Sequence, residues 1–164
     1  MTVYDLIQDE LWCQIFKNSE DFLLDEANNE NADAMLLLAM YYNFSDYRDY
    51  EKAVEWYQKA ADAGCADGYY HLAELYCDHY RDHEKSMEYY MKAVDMGSAK
   101  AMFEMGRRYY KGFLVPVDEE KALTLFENAA KLGHGKAWLW LSEHEKDLEK
   151  ALQYAQEAYY GDQW

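Results

Sequence analysis

The sequence predicts an all-α protein built from repeated helical hairpins, and three observations support this prediction. With one proline and eight glycines in 164 residues, the chain has too few turn residues for an all-β fold. At 51% hydrophobic residues it has enough apolar side chains to bury a core and is not a disordered chain. A short charged string also recurs along the chain at the spacing of a helical repeat.

The recurring string begins with aspartate and ends with lysine, and each copy is followed 14 or 15 residues later by a glycine. An aspartate side chain accepts hydrogen bonds from free amides at the start of a helix, and the following acidic residues favour the positive end of the helix dipole. A glycine adopts the left-handed conformation that ends a helix. The pattern therefore predicts one helix per copy, here called helix B. The aspartates are Asp49, Asp82, Asp118 and Asp147, and the glycines are Gly64, Gly97, Gly133 and Gly161.

A second apolar segment lies between each glycine and the next aspartate, and it predicts a preceding helix, here called helix A. Its first copy runs from Ala34 to Tyr42. A small residue recurs within it, which allows close approach to a neighbouring helix, at Ala39, Ala73, Gly106 and Ser142. Helices A and B of one repeat are expected to form an antiparallel hairpin. The predicted repeats cover residues 32–64, 65–97, 98–133 and 134–164.

Residues 1–31 precede the repeats and are predicted to form a helical cap. Ile7, Leu11 and Ile15 recur at four-residue spacing, which indicates an amphipathic helix, and repeat arrays need such caps. The first helix A is apolar on nearly all sides, from Met35 to Met40, so more than one of its sides is expected to be covered. The leading helix or a partner protein can cover it, and the sequence leaves both alternatives open.

The repeated unit resembles the Sel-one-like (Sel1) repeat, a relative of the tetratricopeptide repeat. The third unit carries the loop of that family at residues 112–118, and the first carries its helix B at residues 56–64. The loops of the first two units lack the glycine and proline, and the fourth unit is shortened. The resemblance implies an α/α solenoid that recognises other proteins, generally through its concave side, and it does not by itself imply catalysis. Some secreted members have paired cysteines in each helix pair, and this chain lacks that pairing.

Charge and apolar length exclude two classes of partner. The chain has 32 acidic and 16 basic residues, a formal net charge of −16, so a nucleic acid backbone would be repelled. The longest apolar stretch has nine residues, against about 20 for a membrane-spanning helix. No basic cluster precedes an apolar run at the amino terminus. Three cysteines, with Cys65 and Cys77 too far apart along a helix for a disulfide, favour the reducing cytoplasm.

No catalytic residue, metal ligand or cofactor site is predicted. Histidine, cysteine and aspartate side chains crowd the second repeat, but their spacing matches no tetrahedral zinc pattern; they are His71, Cys77, Asp78, His79 and His83. Glu119 and Glu120 form a carboxylate pair, yet they occupy a helix start, where acids are favoured for structural reasons. There is no nucleophile elbow and no glycine-rich phosphate loop. The chain is therefore interpreted as a non-enzyme, with a hydrolase as the remote alternative.

The candidate binding residues are those of each helix A whose side chains are expected to point away from the core. They combine aromatic and apolar groups with charged ones, which suits the centre and rim of a protein interface. A solvated face is the alternative interpretation, because the helical register can differ by one residue. The candidates for the concave face are Leu37, Met40, Asp67, Tyr70, His71, Glu74, Asp78, Phe103, Glu104, Arg107, Trp140 and Glu143.

The distribution of charge favours a basic protein partner. The formal net charges are −7 for residues 1–31, −7 for 32–97, +1 for 98–133 and −3 for 134–164. A basic surface would be attracted to the acidic first two thirds, and salt would weaken the attraction. The leading hypothesis is a protein-interaction module, and its sharper form is an immunity or inhibitor protein that neutralises a toxin or enzyme domain. A general adaptor, or an assembly or signalling scaffold, is the alternative. Because no polar helix follows Gly161, the last repeat is also a candidate surface for homo-oligomerisation.

Overall fold

The structure, a computed structural model, describes residues 20–44 and 48–161, and these residues form helices joined by short loops, without a strand. The predicted all-α repeat fold is confirmed. Helix α1 is described over residues 20–28. The cap predicted from Ile7, Leu11 and Ile15 lies outside the described residues. The other helices are α2 (Ala32–Phe44), α3 (Tyr50–Asp62), α4 (Ala66–Asp78), α5 (His83–Asp95), α6 (Ala99–Lys111), α7 (Glu119–Lys131), α8 (Gly135–His144) and α9 (Leu148–Gly161).

The helices begin and end where the aspartate and glycine pattern predicts. The Oδ1 atom of Asp49 accepts the backbone N–H of Lys52 at 3.1 Å, and equivalent bonds start the later helices at Asp82, Asp118 and Asp147. The second residue after each of α3, α5 and α7 is a glycine with positive φ, with values of 96° at Gly64, 87° at Gly97 and 88° at Gly133. Helices α3, α5, α7 and α9 are therefore the predicted B helices, and α2, α4, α6 and α8 are the A helices.

The chain divides into two compact units, Met1–Gly68 and Tyr69–Trp164. In the first unit, α2 packs against α3, and both helices have buried residues, among them Leu38 and Ala39 of α2 and Tyr57 and Ala60 of α3. The hydroxyl of Tyr42 donates a hydrogen bond of 2.6 Å to Glu20, which joins α1 to α2. Burial, together with the neighbouring Glu20 carboxylate, raises the pKa of Tyr42. The described part of α1 thus contacts α2.

A glycine brings the first turn of α4 close to α3. A Cβ atom at Gly68 would lie 2.6 Å from the carbonyl oxygen of Tyr57 and 2.8 Å from the amide nitrogen of Ala61. Both neighbours are backbone atoms, which cannot move aside as a flexible side chain can. Only glycine therefore permits this approach of the two helices.

The second unit contains two buried clusters. The first is formed by α4, α5, α6 and α7, and its members are Ala73, Tyr90, Ala93, Ala101, Met105 and Leu125. Within it, the buried hydroxyl of Ser86 donates to the carbonyl oxygen of Ala73 at 2.8 Å, so that polar group is satisfied. The second cluster is formed by α7 and α8, and its members are Ala122, Phe126, Ala129, Ala130, Ala137 and Leu141. Gly106 of α6 lies against Phe126, where a Cβ atom would be 2.9 Å from the ring.

The loop between α6 and α7 exposes apolar side chains. Gly112 ends α6 in the left-handed conformation, with φ of 69°, and Leu114 also has a positive φ of 64°. Phe113 is 50% exposed and Val117 is 61% exposed. The loop at residues 112–118 of the third repeat therefore holds a half-exposed aromatic ring beside the end of α6.

Candidate functional site

None of the twelve predicted binding side chains is buried. In the first unit, Leu37 is exposed, whereas Met40 and Asp67 are half-buried. In the second unit, the A helices α4, α6 and α8 carry the other nine candidates, each of them exposed or half-buried. The exposed residues there are Asp78, Arg107 and Glu143, and the half-buried ones are Tyr70, His71, Glu74, Phe103, Glu104 and Trp140. The second unit brings several of these residues together, as follows.

Aromatic rings from α6, α7 and α8 form a contiguous group, here called the ring cluster. Trp140 stacks on the fully buried Phe126, with ring centroids 3.9 Å apart, and Phe103 contacts the same ring at 5.5 Å. On its other flank Trp140 stacks on His144 at 4.0 Å, and Tyr110 meets it edge-on at 5.1 Å. Phe103 and Trp140 are thus held in place by ring contacts while part of each remains accessible.

The ring cluster continues to His134, which stacks on Phe103 at 4.6 Å. Burial lowers the pKa of His134, and the nearby Lys136 ammonium acts in the same direction. The imidazole is therefore neutral at pH 7. A partly accessible row of rings offers contact area with few rotatable bonds to immobilise, which favours its use in binding.

Three carboxylates form an acidic group on α4 and α6, in which Asp78 and Glu104 act on Glu74. Burial raises the pKa of Glu74 to about 7, the negative charges of Glu104 and Asp78 add to the effect, and the Arg108 guanidinium opposes it. The hydroxyl of Tyr90 donates to Glu74. One of these carboxylates is partly protonated near neutral pH because its charged form is disfavoured. A nearby cation stabilises the charged form. This acidic group is suited to a lysine or arginine side chain of a partner.

Arg107 and Glu104 form an ion pair on α6. The Nη1 atom of Arg107 donates to both carboxylate oxygens of Glu104, at 2.8 Å and 3.0 Å. The pair is three residues apart on one helix, and the Arg107 side chain is 44% exposed. Exposed pairs of this kind contribute little to stability. Charged groups of a partner can therefore replace this ion pair with little loss of stability.

Sequence reasoning missed Arg108, which is the buried charge of this surface. It is only 8% exposed, and its guanidinium carbon lies 4.6 Å from the ring centroid of Tyr90 and 5.2 Å from that of Phe113. Its Nη2 atom donates to the Tyr90 hydroxyl at 3.3 Å. If the small residues Ala73 and Gly106 are aligned, Arg108 occupies the position of the inward Leu75 of the preceding repeat. A charged residue at a position that is apolar in the preceding repeat was the sequence signal that could have identified Arg108.

A cleft of about 420 Å³ opens beside this arginine at the end of α6. Three of its six lining residues are cationic, one is a carboxylate and one is aromatic. The lining residues are Glu104, Arg107, Arg108, Lys111, Gly112 and Phe113. The ring cluster, the acidic group and this cleft all involve residues of α6. The described surface of the second unit therefore offers apolar, acidic and basic contacts.

A buried thiol of the second repeat lies close to an imidazole and a guanidinium. The Sγ atom of Cys77 lies 3.8 Å from Nδ1 of His83 and 3.8 Å from Nη2 of Arg108, and Cys77 is 8% exposed. Across residues 20–44 and 48–161, no three His, Cys, Asp or Glu side chains are grouped so as to hold a metal ion. Within the same residues, no helix has the length and apolarity needed to span a bilayer.

Several solved structures share this fold. A Sel1 repeat protein from Oxalobacter formigenes is 21% identical, with a TM-score of 0.75 over 88% of this chain and 64% of its own. The protective antigen c5321 of uropathogenic Escherichia coli is 25% identical, with a TM-score of 0.67 over 88% of this chain and 35% of its own. The chain thus spans less than two thirds of either relative. The immunity protein PA5088 of Pseudomonas aeruginosa is 20% identical, with a TM-score of 0.51 over 88% and 73%.

Sequence comparison agrees with the repeat pattern. No curated protein sequence is significantly similar to this chain. The family model described as Sel1 repeat, however, matches residues 32–65, 66–98, 99–134 and 139–162, which together are most of the 164 residues. These four matches, with the helical hairpins that they cover, show that the chain belongs to the Sel1 repeat family.

Proposed function

We propose that this chain is a non-catalytic module that binds a protein partner through the accessible residues of its A helices. The ring cluster carries the proposal. Phe103 and Trp140 are partly accessible, yet both are fixed against Phe126, so they lose little entropy when a partner covers them. The same helices carry charged candidates, Glu104 and Arg107 on α6 and Glu143 on α8, and many protein interfaces combine an apolar centre with a polar rim. The twelve predicted residues are the proposed contacts.

A basic partner is favoured by the acidic group of α4 and α6. The negative charges of Asp78 and Glu104 disfavour the charged form of Glu74, and a partner's cation relieves that repulsion. The net charge of −16 attracts a basic protein over a longer range. Binding of a cation lowers the pKa of Glu74 and releases its proton, so the affinity for a basic partner rises as the pH increases through 7.

The sharper form of the proposal is an immunity or inhibitor protein. Its support is the combination of a high acidic charge with an apolar contact row, which can cover a basic toxin or enzyme domain. The immunity protein PA5088 shows that this fold can belong to an immunity protein; at 20% identity it bears on the fold alone. Cys65 and Cys77 are both free thiols, in keeping with a cytoplasmic site of action. Self-association through the last repeat remains a prediction.

An adaptor or scaffold is the second candidate function. It is favoured by Leu37, which is 52% exposed on α2, because an exposed apolar side chain outside the ring cluster is available for a further protein contact. The two candidates differ in the number of partners. An inhibitor retains one basic protein at sub-micromolar affinity, whereas an adaptor retains several proteins more weakly.

A charge-reversal series tests the proposal. Wild-type protein and the variants Asp78→Lys, Glu143→Lys and Glu157→Lys are immobilised and exposed to lysate of the source cell, and the retained proteins are quantified by mass spectrometry. All three residues are exposed and lie towards the carboxyl ends of their helices, where lysine is tolerated, but Glu157 is on helix B. Each variant changes the net charge equally.

We expect the partner to be retained by wild type and by Glu157→Lys, and to be reduced at least about fivefold by the two helix A variants. Equal retention by all four proteins would contradict the proposed surface.

A further inference from the structure

Arg108 has an incomplete set of partners. It is 8% exposed, and its Nε and Nη1 atoms are buried without a hydrogen-bond partner. The third nitrogen, Nη2, donates to the Tyr90 hydroxyl at 3.3 Å and contacts the Cys77 sulfur at 3.8 Å. Both of these acceptors are uncharged groups, and neither compensates a positive charge as a carboxylate does. A buried guanidinium of this kind is costly unless it is paired.

The neighbouring carboxylates have other partners. Glu104 accepts two hydrogen bonds from Arg107. Glu74 and Arg108 act on each other through their charges, but Glu74 accepts hydrogen bonds from the hydroxyls of Tyr70 and Tyr90, and the Tyr90 hydroxyl bonds to both Glu74 and Arg108. Arg108 is therefore connected to Glu74 through Tyr90 and has no carboxylate of its own among the described residues.

The cleft beside Arg108 differs in charge from the rest of the chain. Arg107, Arg108 and Lys111 line it, against the single carboxylate of Glu104. It lies in the third repeat, which has a net charge of +1 within a chain of −16. A volume of about 420 Å³ is large enough for a side chain or for the last residue of a peptide.

We propose that this cleft, here called the Arg108 cleft, is a subsite for a carboxylate group of the polypeptide partner, bound by the unpaired donors of Arg108. The proposal rests on the proposed function, since it names one chemical group of that partner. Phe113 lies against the guanidinium and also lines the cleft, and its ring is half exposed. The ligand reaches Nε and Nη1 by displacing this ring.

The Arg108 cleft adds a second chemical requirement for the partner. The acidic group accepts cationic side chains, and the Arg108 cleft accepts one carboxylate, so the complementary partner is a basic protein with an acidic residue or a free carboxyl terminus at its contact. An arginine that is left unpaired in the free protein discriminates strongly, because a neutral side chain in the cleft leaves the guanidinium unpaired.

The test uses small carboxylates and does not require the partner. The wild-type protein is titrated, at constant ionic strength, with N-acetylalanine, which has a terminal carboxylate, and with N-acetylaspartate methylamide, which has a side-chain carboxylate. N-acetylalanine methylamide, without a carboxylate, and sodium chloride are the controls. The readout is the side-chain Nε–Hε signal of Arg108 in nitrogen–proton NMR spectra.

We expect a saturable shift of the Arg108 signal with a carboxylate probe and none with the amide or chloride. Tighter binding of N-acetylalanine would identify the ligand as a carboxyl terminus, and tighter binding of N-acetylaspartate methylamide would identify it as an acidic side chain. The variant Arg108→Lys keeps the charge but loses the planar donors, so the affinity should fall at least about tenfold, measured from the remaining backbone shifts. Lys131→Gln, an exposed cation outside the cleft, should change it less than about twofold.

The absence of a saturable shift with both carboxylates, or an equal shift with chloride, would overturn the subsite. The titration of the wild-type protein tests the carboxylate subsite even if Arg108→Lys fails to fold. A failed titration would leave the proposed protein binding intact, because the charge-reversal series tests that separately.

Discussion

The indole of Trp140 lies almost face to face with the ring of Phe126, with centroids 3.9 Å apart and an interplanar angle of 27°. Phe126 of α7 is fully buried. Gly106 of α6 has no side chain and so leaves space for the Phe126 ring. A predicted contact residue on the surface is thus also part of the packing of the second unit. Its substitution is expected to affect stability and binding together.

Trp140→Ala should lower the free energy of unfolding by about 2 kcal/mol, because it uncovers Phe126 and removes the stack with His144. Chemical denaturation followed by circular dichroism measures the change. Leu139→Ala is the matched control, since Leu139 is 51% exposed on the same helix and should cost less than about 0.5 kcal/mol. Equal stability of wild type and Trp140→Ala would show that the stack contributes nothing to the fold.

Gly68→Ala should destabilise the first unit by about 2 kcal/mol or more, because the new Cβ atom would meet two backbone atoms of α3. Gly64→Ala is the comparison, since nothing lies within 4 Å of its Cβ position and its cost is that of a positive φ, about 1 kcal/mol. Urea denaturation of the two variants measures the difference. The reverse order of stabilities would contradict the close approach of α3 and α4.

The protonation of Glu74 should make stability depend on pH. Burial raises its pKa to about 7 in the folded protein, from 4.5 for a solvated glutamate. Between these values the folded state holds a proton that the unfolded state releases, so the free energy of unfolding falls as the pH rises from about 4.5 to 7. Because Glu74 is partly exposed, this contribution should be about 1–2 kcal/mol.

Glu74→Gln keeps an acceptor for Tyr90 and removes the titration. Urea denaturation at pH 5 and pH 8 should therefore show a smaller loss of stability in the variant than in wild type. An identical loss in both proteins would exclude Glu74 as its source.

Arg108→Met should leave stability unchanged or raise it by about 1 kcal/mol, because it replaces an incompletely paired buried charge by an apolar side chain of similar length. Thermal unfolding measures this effect. Arg107→Met, at the exposed neighbouring position, is the control and should change stability little. A loss of 3 kcal/mol or more in Arg108→Met would instead mean that the arginine is a structural group with adequate partners.

The helices were predictable because their ends are decided locally. An aspartate that accepts the amide of the third residue after it, as Asp118 does from Lys121, needs only neighbouring residues. A glycine such as Gly97 ends a helix through its own backbone conformation. Such signals are visible in one short stretch of sequence, and they recur four times here.

The chemistry of the candidate site was harder to predict because it depends on contacts between elements. Glu74 was predicted to point away from the core, but its raised pKa arises from burial and from Glu104 of the next helix A. The burial of Arg108 depends on Tyr90 of α5 and Phe113 of a loop. In both cases periodicity places the residue on a helix but does not show what lies against it.

Site-specific crosslinking in living cells tests most directly whether a protein partner contacts the A helices. A photoreactive amino acid is placed at Glu143 on α8, and in a separate strain at the equally exposed Glu157 on α9. We predict a discrete covalent adduct with one protein from position 143 and none from position 157. An adduct from position 157 alone, or no adduct from position 143 when the partner is present, would contradict the account.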